Sequence, residues 1–305
     1  RHLLMSAVIK LKRGTSTPST SDIASGEVAI DTSAKKLYIN DSGTVKEIGG
    51  GGGGVTSDAQ GNTVAGSNAG DSFTGTDAED NTLFGKDCGT AITTADSTTA
   101  VGKDAGKLIT TGSYNHIFGI GAGDAITTGT NNTIMGHYAG SGFSTGSENT
   151  IIGGNAGGTT TAGIAGNTYI GKSCAQNVTG NYNVFIGQMA AVWGNGNASN
   201  NTAVGKGAME DVSTGDDNSG VGKAVLNDLN TGSSNSALGT NAGNTLTTGD
   251  NNTFLGHDAE PSAVDVSNEV TVGDGNVTKF RIPGLGFELA TDSSSGFVLD
   301  FGSVA

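Results

Sequence analysis

Large aromatic side chains are scarce in this 305-residue chain: 1 tryptophan, 5 tyrosines and 10 phenylalanines amount to 5% of it. That shortage argues against a thick interlocking core and an aromatic-walled substrate pocket, and favours a chain buried as many thin, similar layers. Proline occurs 3 times, charged residues make up 14%, and glycine occurs 53 times. This is not the composition of an ordinary globular enzyme. No apolar run reaches the roughly 18–20 residues that span a bilayer. No basic-then-apolar segment opens the chain, which reads as soluble and not exported by the general secretory route. Met5-Ser6-Ala7 reads as a start, with Arg1 to Leu4 upstream of it.

Positive charge is also in short supply. The formal charge is −14, but residues 1–48 hold 7 of the 15 basic and 5 of the 29 acidic groups, leaving 8 basic and 24 acidic groups for the remainder. A long acidic surface repels polyanions, which argues against nucleic acid or an anionic membrane as a general partner, and the lack of a spanning run argues against membrane insertion.

What the chain does have is a repeat. Aligned on Asn-Thr-x-apolar-Gly, 13 motif glycines run from Gly66 to Gly273, at intervals of 19, 17, 17, 17, 17, 18, 16, 18, 17, 17, 17 and 17 residues. A near-constant period of this length is the signature of a solenoid. Directly before each glycine stands a first apolar row, with Phe84, Val101, Met135, Ile152, Val221, Leu238 and Leu255 among its members. Two before it stands a second, with Leu83, Ile117, Ile134, Ile151, Tyr169, Phe185 and Phe254. Three after it the first twelve units place nine alanines, Cys88, Cys174 and Val225, and seven after it a third apolar row runs through Ile92, Ile109, Phe143, Val212 and Leu246.

Seventeen residues are too few for a helix plus a strand with loops. The prediction is an all-β, parallel β-solenoid or β-roll of 13 coils, with two short strands per coil and a length of roughly 60 Å at about 4.8 Å per coil. The motif asparagines, from Asn81 to Asn252, are expected to stack as an amide ladder at a turn whose left-handed geometry they tolerate. Cys88 and Cys174 lie five coils apart, about 24 Å, far beyond the roughly 7 Å reach of a disulfide, and are expected to be free and buried. Neighbouring strand residues point to opposite faces, so the first and second rows cannot both face the inside of one coil. One of them needs another chain, and three chains about a common axis cover such a stripe without leaving an open edge.

Around this shaft, residues 58–273, the period is absent. Residues 1–48 alternate like short strands at Val8–Leu11, Glu27–Ile30, Lys36–Ile39 and Val45–Ile48, forming a small β module, and residues 49–57 form a linker containing six glycines. Residues 274–305 hold Phe280, Phe287, Phe297 and Phe301, and read as a non-repeating cap or tip.

Leu11-Lys12-Arg13-Gly14-Thr15, with Ser25 to Asp31 and Lys36 to Ile39, resembles the N-terminal module of bacteriophage tropism-determinant and tail-fibre proteins, over about 40 residues. The shaft motif Asn201-Thr202-Ala203-Val204-Gly205 is similar to phage-fibre repeats and to the heads of trimeric autotransporter adhesins, whose period is usually shorter. The phage resemblance implies a homotrimer on the virion, joined to a tail or other virion protein through its N-terminal module and directed by its C-terminus at a host surface receptor, a glycan among the candidates.

The expected function is attachment without catalysis, metal or cofactor. The alternatives are a purely structural spacer or capsid decoration fibre and, less favoured, a polysaccharide depolymerase. The candidate receptor-binding residues are Lys279, Arg281, Phe287 and Asp292 at the tip, with Trp193 in a stretch of uneven intervals where a bulge is expected. Gly166 to Ser173 satisfies the phosphate-loop pattern, but it is one copy of the repeat, and Lys172 shares its column with Lys86, Lys103, Lys206 and Lys223. His137 and His257 share that column too and read as solvated surface.

Overall fold

The computed structural model describes residues 12–33, 36–42, 44–48, 55–73, 76–158, 163–282, 287–292 and 296–300. The chain divides into two units, Arg1–Val55 and Thr56–Ala305.

In the first unit, β1 (Lys12–Gly14), β2 (Val28–Asp31), β3 (Lys36–Asp41) and β4 (Thr44–Ile48) form one sheet in that order. β1 runs parallel to β2, and the other neighbours pair antiparallel. Its small core holds Ile23, Ala29 and Tyr38, and the buried Asn40 donates through Nδ2 to the Ile23 carbonyl at 2.6 Å. The strand expected at Val8–Leu11 and the run Gly49–Gly54 lie outside the described residues.

The second unit opens with β5 (Thr56–Ser57), inside the stretch expected to be linker, which pairs antiparallel with β6 (Thr63–Ala65). From β6 the sheet continues in strict chain order to β18 (Val270–Val272), so 13 of its 14 strands are the parallel rungs of a solenoid. Like pairs with like: Thr133, Ile134 and Met135 lie against Thr150, Ile151 and Ile152.

The second row points in. Leu83, Ile117, Ile134, Ile151, Tyr169 and Phe185 are wholly buried, as is the third apolar row from Ile92 to Phe143, at Val178 and from Val212 to Leu246, and the alanine row is buried with them. Each fully buried isoleucine contributes about 1.5–3 kcal/mol, so stability accumulates coil by coil. The first row, on the opposite face of the same strands, points out.

Among the described residues each coil forms one strand, not two. The third apolar row sits in a turn, where Ile92 donates its N–H to Gly89, Ile109 to Gly106 and Val212 to Met209 across three residues. This half of each coil stacks by turn-to-turn bonds, such as Thr110 N–H to the Thr127 carbonyl at 2.8 Å.

Two features set the coil's shape. The motif glycine adopts φ near +136° at Gly102, where a Cβ would stand 2.4 Å from the Gly119 carbonyl oxygen, so no side chain fits there. The asparagines form the expected ladder, which begins one coil earlier, at Asn62, and is interrupted at Thr98. Asn218 is typical: its Nδ2 donates to Asn201 Oδ1 at 3.0 Å and to the Gly232 carbonyl at 2.9 Å, while its Oδ1 accepts from the Asn235 N–H and Nδ2 at 2.9 and 3.0 Å. The left-handed residue is the one before the asparagine, as at Asn131, Glu148 and Asp217, because the asparagine itself is buried and turned inward.

Cys88 and Cys174 are free and buried, and burial pushes each thiol up to about 12. Beyond the solenoid, β19 (Lys279–Ile282), β20 (Phe287–Asp292) and β21 (Gly296–Asp300) form an antiparallel meander.

Candidate functional site

The outer face of the long sheet is the largest feature built by the repeat. The three-residue strands turn their first and third positions outward, half-buried in some coils and exposed in others: mostly Thr or Ser at the first, and the first apolar row at the third. Thr133 and Met135 flank the buried Ile134, and Thr253 and Leu255 flank Phe254. The apolar row runs without a polar interruption from Ala65 to Val272. It is most open toward the C-terminal end, where Val221, Leu238 and Leu255 are 46%, 52% and 45% exposed and line a shallow groove of about 270 Å³ with Ser219, Ser236 and Thr253. Contiguous apolar surface of this extent is the mark of an association face.

Trp193, 60% exposed, immediately precedes the irregularity in its coil. It lies six residues after its motif glycine and donates its backbone N–H to the Glu210 carbonyl at 2.9 Å, the bond that Leu108 makes to Asp124 in a regular coil. The extra residue comes after it: Thr179 bonds Gly196, where regular coils pair the equivalent residues Thr110 and Thr127. In the column of Trp193 the adjacent coils place Asn177 and Asp211, which gives an aromatic surface with an amide on one side and a carboxylate on the other. Burial holds Asp211 above the usual carboxylate range, helped by the charges of Asp228 and Glu210.

Lys279, Arg281, Phe287 and Asp292 all fall in the C-terminal meander. Lys279 and Arg281 are exposed on one face of β19, opposite Ala290 and Glu288, while Phe287 and Asp292 mark the two ends of β20. Trp193 belongs to the coil of Gly187, five coils before Gly273, so the expected residues form two groups. Phe280 is 43% exposed; Phe301 lies outside the described residues.

The phosphate-loop pattern folds as part of the ladder, with β12 (Thr168–Ile170) at its centre. No helix follows it among the described residues, so its amides are spent on neighbouring coils, as when Ser173 N–H donates to the Gly154 carbonyl. Among the described residues Asp124 is the other carboxyl held high by burial, and it lies five coils from Asp211, so the two do not form an acid–base pair. His137 packs edge-on to Tyr138, with ring centroids 4.4 Å apart. Compared with known protein families, curated proteins and solved structures, the chain matches none.

Proposed function

We propose that three copies of this chain form a non-enzymatic fibre of a tailed bacteriophage that attaches the virion to a host surface. The observation that carries the reading is the outward apolar row, continuous over 13 rungs on a chain whose formal charge is −14. A threefold axis along the rods brings the three rows together and leaves the acidic corners in water. The N-terminal module serves as the virion end, and the C-terminal meander, with Lys279, Arg281, Phe287 and Asp292, as the tip. Attachment then works by avidity, because several weak tip contacts engaged together dissociate far more slowly than one.

The test is competition between purified chain and phage for host cells, alongside light scattering. Support consists of a native mass of three times 30.1 kDa, about 90 kDa, with dose-dependent loss of adsorption. A native mass near 30 kDa overturns the trimer. Protein that binds virions but not cells is a spacer or decoration fibre, and sugar release from host envelope replaces this reading with a depolymerase.

A further inference from the structure

His257, Asp258 and Asp274 converge where the repeat ends. His257 and Asp274 occupy the same position, directly after the motif glycine, in the successive coils of Gly256 and Gly273. Earlier in the shaft this position carries Lys86 and Lys103, and each pairs with the aspartate that follows it, Asp87 or Asp104. At the last two coils imidazole and then carboxylate replace that ammonium. Two carboxylates now face one histidine.

Nδ1 of His257 stands 3.0 Å from Oδ2 of Asp258, and one ligand atom from each of the three residues lies within 4.8 Å of the others. Two ligands bound about 2.1 Å from a tetrahedral ion stand about 3.4 Å apart, so small side-chain rotations close the set. Hydrogen bonds from neighbouring asparagines already hold both carboxylates. Asn241 Nδ2 donates to Asp258 Oδ1 at 2.8 Å, and Asn276 donates through its backbone N–H and Nδ2 to Asp274 at 3.0 and 2.8 Å. Such outer partners fix the direction in which a ligand atom presents itself.

We infer that this corner binds one divalent ion of the zinc class, held by a nitrogen of His257 and one oxygen each from Asp258 and Asp274, with water at the fourth position. Two carboxylates and a neutral imidazole balance the ion's charge, and the nitrogen donor selects against magnesium and calcium, which take oxygen ligands. The ion ties the coil of Gly256 to the final turn. That turn needs a tie, because Gly273 at φ +78° has left the +122° to +151° range of the other motif glycines and no further coil covers it.

The test is calorimetric titration of the tag-free full chain with Zn²⁺ alone. One ion per chain is expected, with affinity falling at least about tenfold in His257→Ala and in Asp274→Asn, and unchanged in His137→Ala. The melting temperature should rise with zinc in the parent chain and stay put in the two site variants. All three residues are at least partly exposed, and far-UV circular dichroism verifies that the variants fold. Absence of zinc binding by the parent chain, full affinity in His257→Ala, or equal binding of Ca²⁺ that ignores His257 each overturns the site.

Discussion

Replacing Asn218 with alanine removes four side-chain hydrogen bonds: two donated, to Asn201 Oδ1 and the Gly232 carbonyl, and two accepted, from the Asn235 N–H and Nδ2. The neighbours fare unequally. Asn201 Oδ1 keeps the Asn218 backbone N–H at 2.9 Å, and Asn235 Nδ2 keeps the Gly249 carbonyl at 2.9 Å. The Gly232 carbonyl and the Asn235 N–H lose the partner that served them. At about 1–3 kcal/mol for each buried group left unpaired, two such groups cost about 2–6 kcal/mol. Thr231→Ala, at an exposed position of the same coil with its side chain outside the ladder, is the control and should stay within about 0.5 kcal/mol. Urea unfolding at fixed protein concentration gives the stability difference, and hydrogen exchange at the Asn235 amide reports the broken rung directly. A loss below about 1 kcal/mol with undiminished protection of that amide would refute the claim that the ladder holds adjacent coils together.

Two other outcomes are expected. Leu238→Glu places a carboxylate in the most open stretch of the outer row, pointing away from the core; under the proposed trimer it should shift the native mass from about 90 kDa to near 30.1 kDa with an unchanged circular dichroism spectrum. Light scattering after size exclusion checks it. Cys88 and Cys174, with thiols pushed up to about 12, should resist a thiol reagent in the native chain and react fully after unfolding. The unfolded thiols lose their protons at lower pH than the native ones, so stability should fall as pH rises from about 9 toward 12.

The period, the parallel register, the amide ladder and the free thiols are all legible in the sequence, because a solenoid repeats its constraints every coil. Which apolar row faces in is not read from alternation, which says only that adjacent rows oppose each other. A subtler signal was present at Gly220. The second row there has no side chain, and the alanine row of the same coil carries Val225, whose Cγ1 would stand 3.0 Å from a Cβ at Gly220, with Met209 Cε at 3.3 Å. Volume missing from one row and supplied by the other identifies both as parts of one interior. The third apolar row was misread as strand because a buried residue in a tight turn and one in a strand leave the same apolar mark. The uneven intervals around Trp193 signal an extra residue, and it falls between Trp193 and Gly196, inside the expected stretch; an interval counts residues without locating the extra one within it. At the tip, composition singled out a segment that the backbone then gathered into one meander, with Trp193 apart from it.

The ladder also has a direction. Along its continuous stretches the amide-to-amide bonds all run toward the coil made before, while each Nδ2 gives its other bond to a carbonyl farther along the chain, as Asn218 does to Gly232, and at the start Asn62 Nδ2 donates to the carboxylate of Asp58 at 2.9 Å. A partly synthesised chain therefore ends in a waiting carbonyl oxygen, and the next coil to leave the ribosome arrives carrying two donors for it. Addition at the other end would have to supply an acceptor, and Asp58 is already there. The acceptor end of the ladder thus faces the growing end of the chain, so each coil presents the oxygen that its successor's donors require.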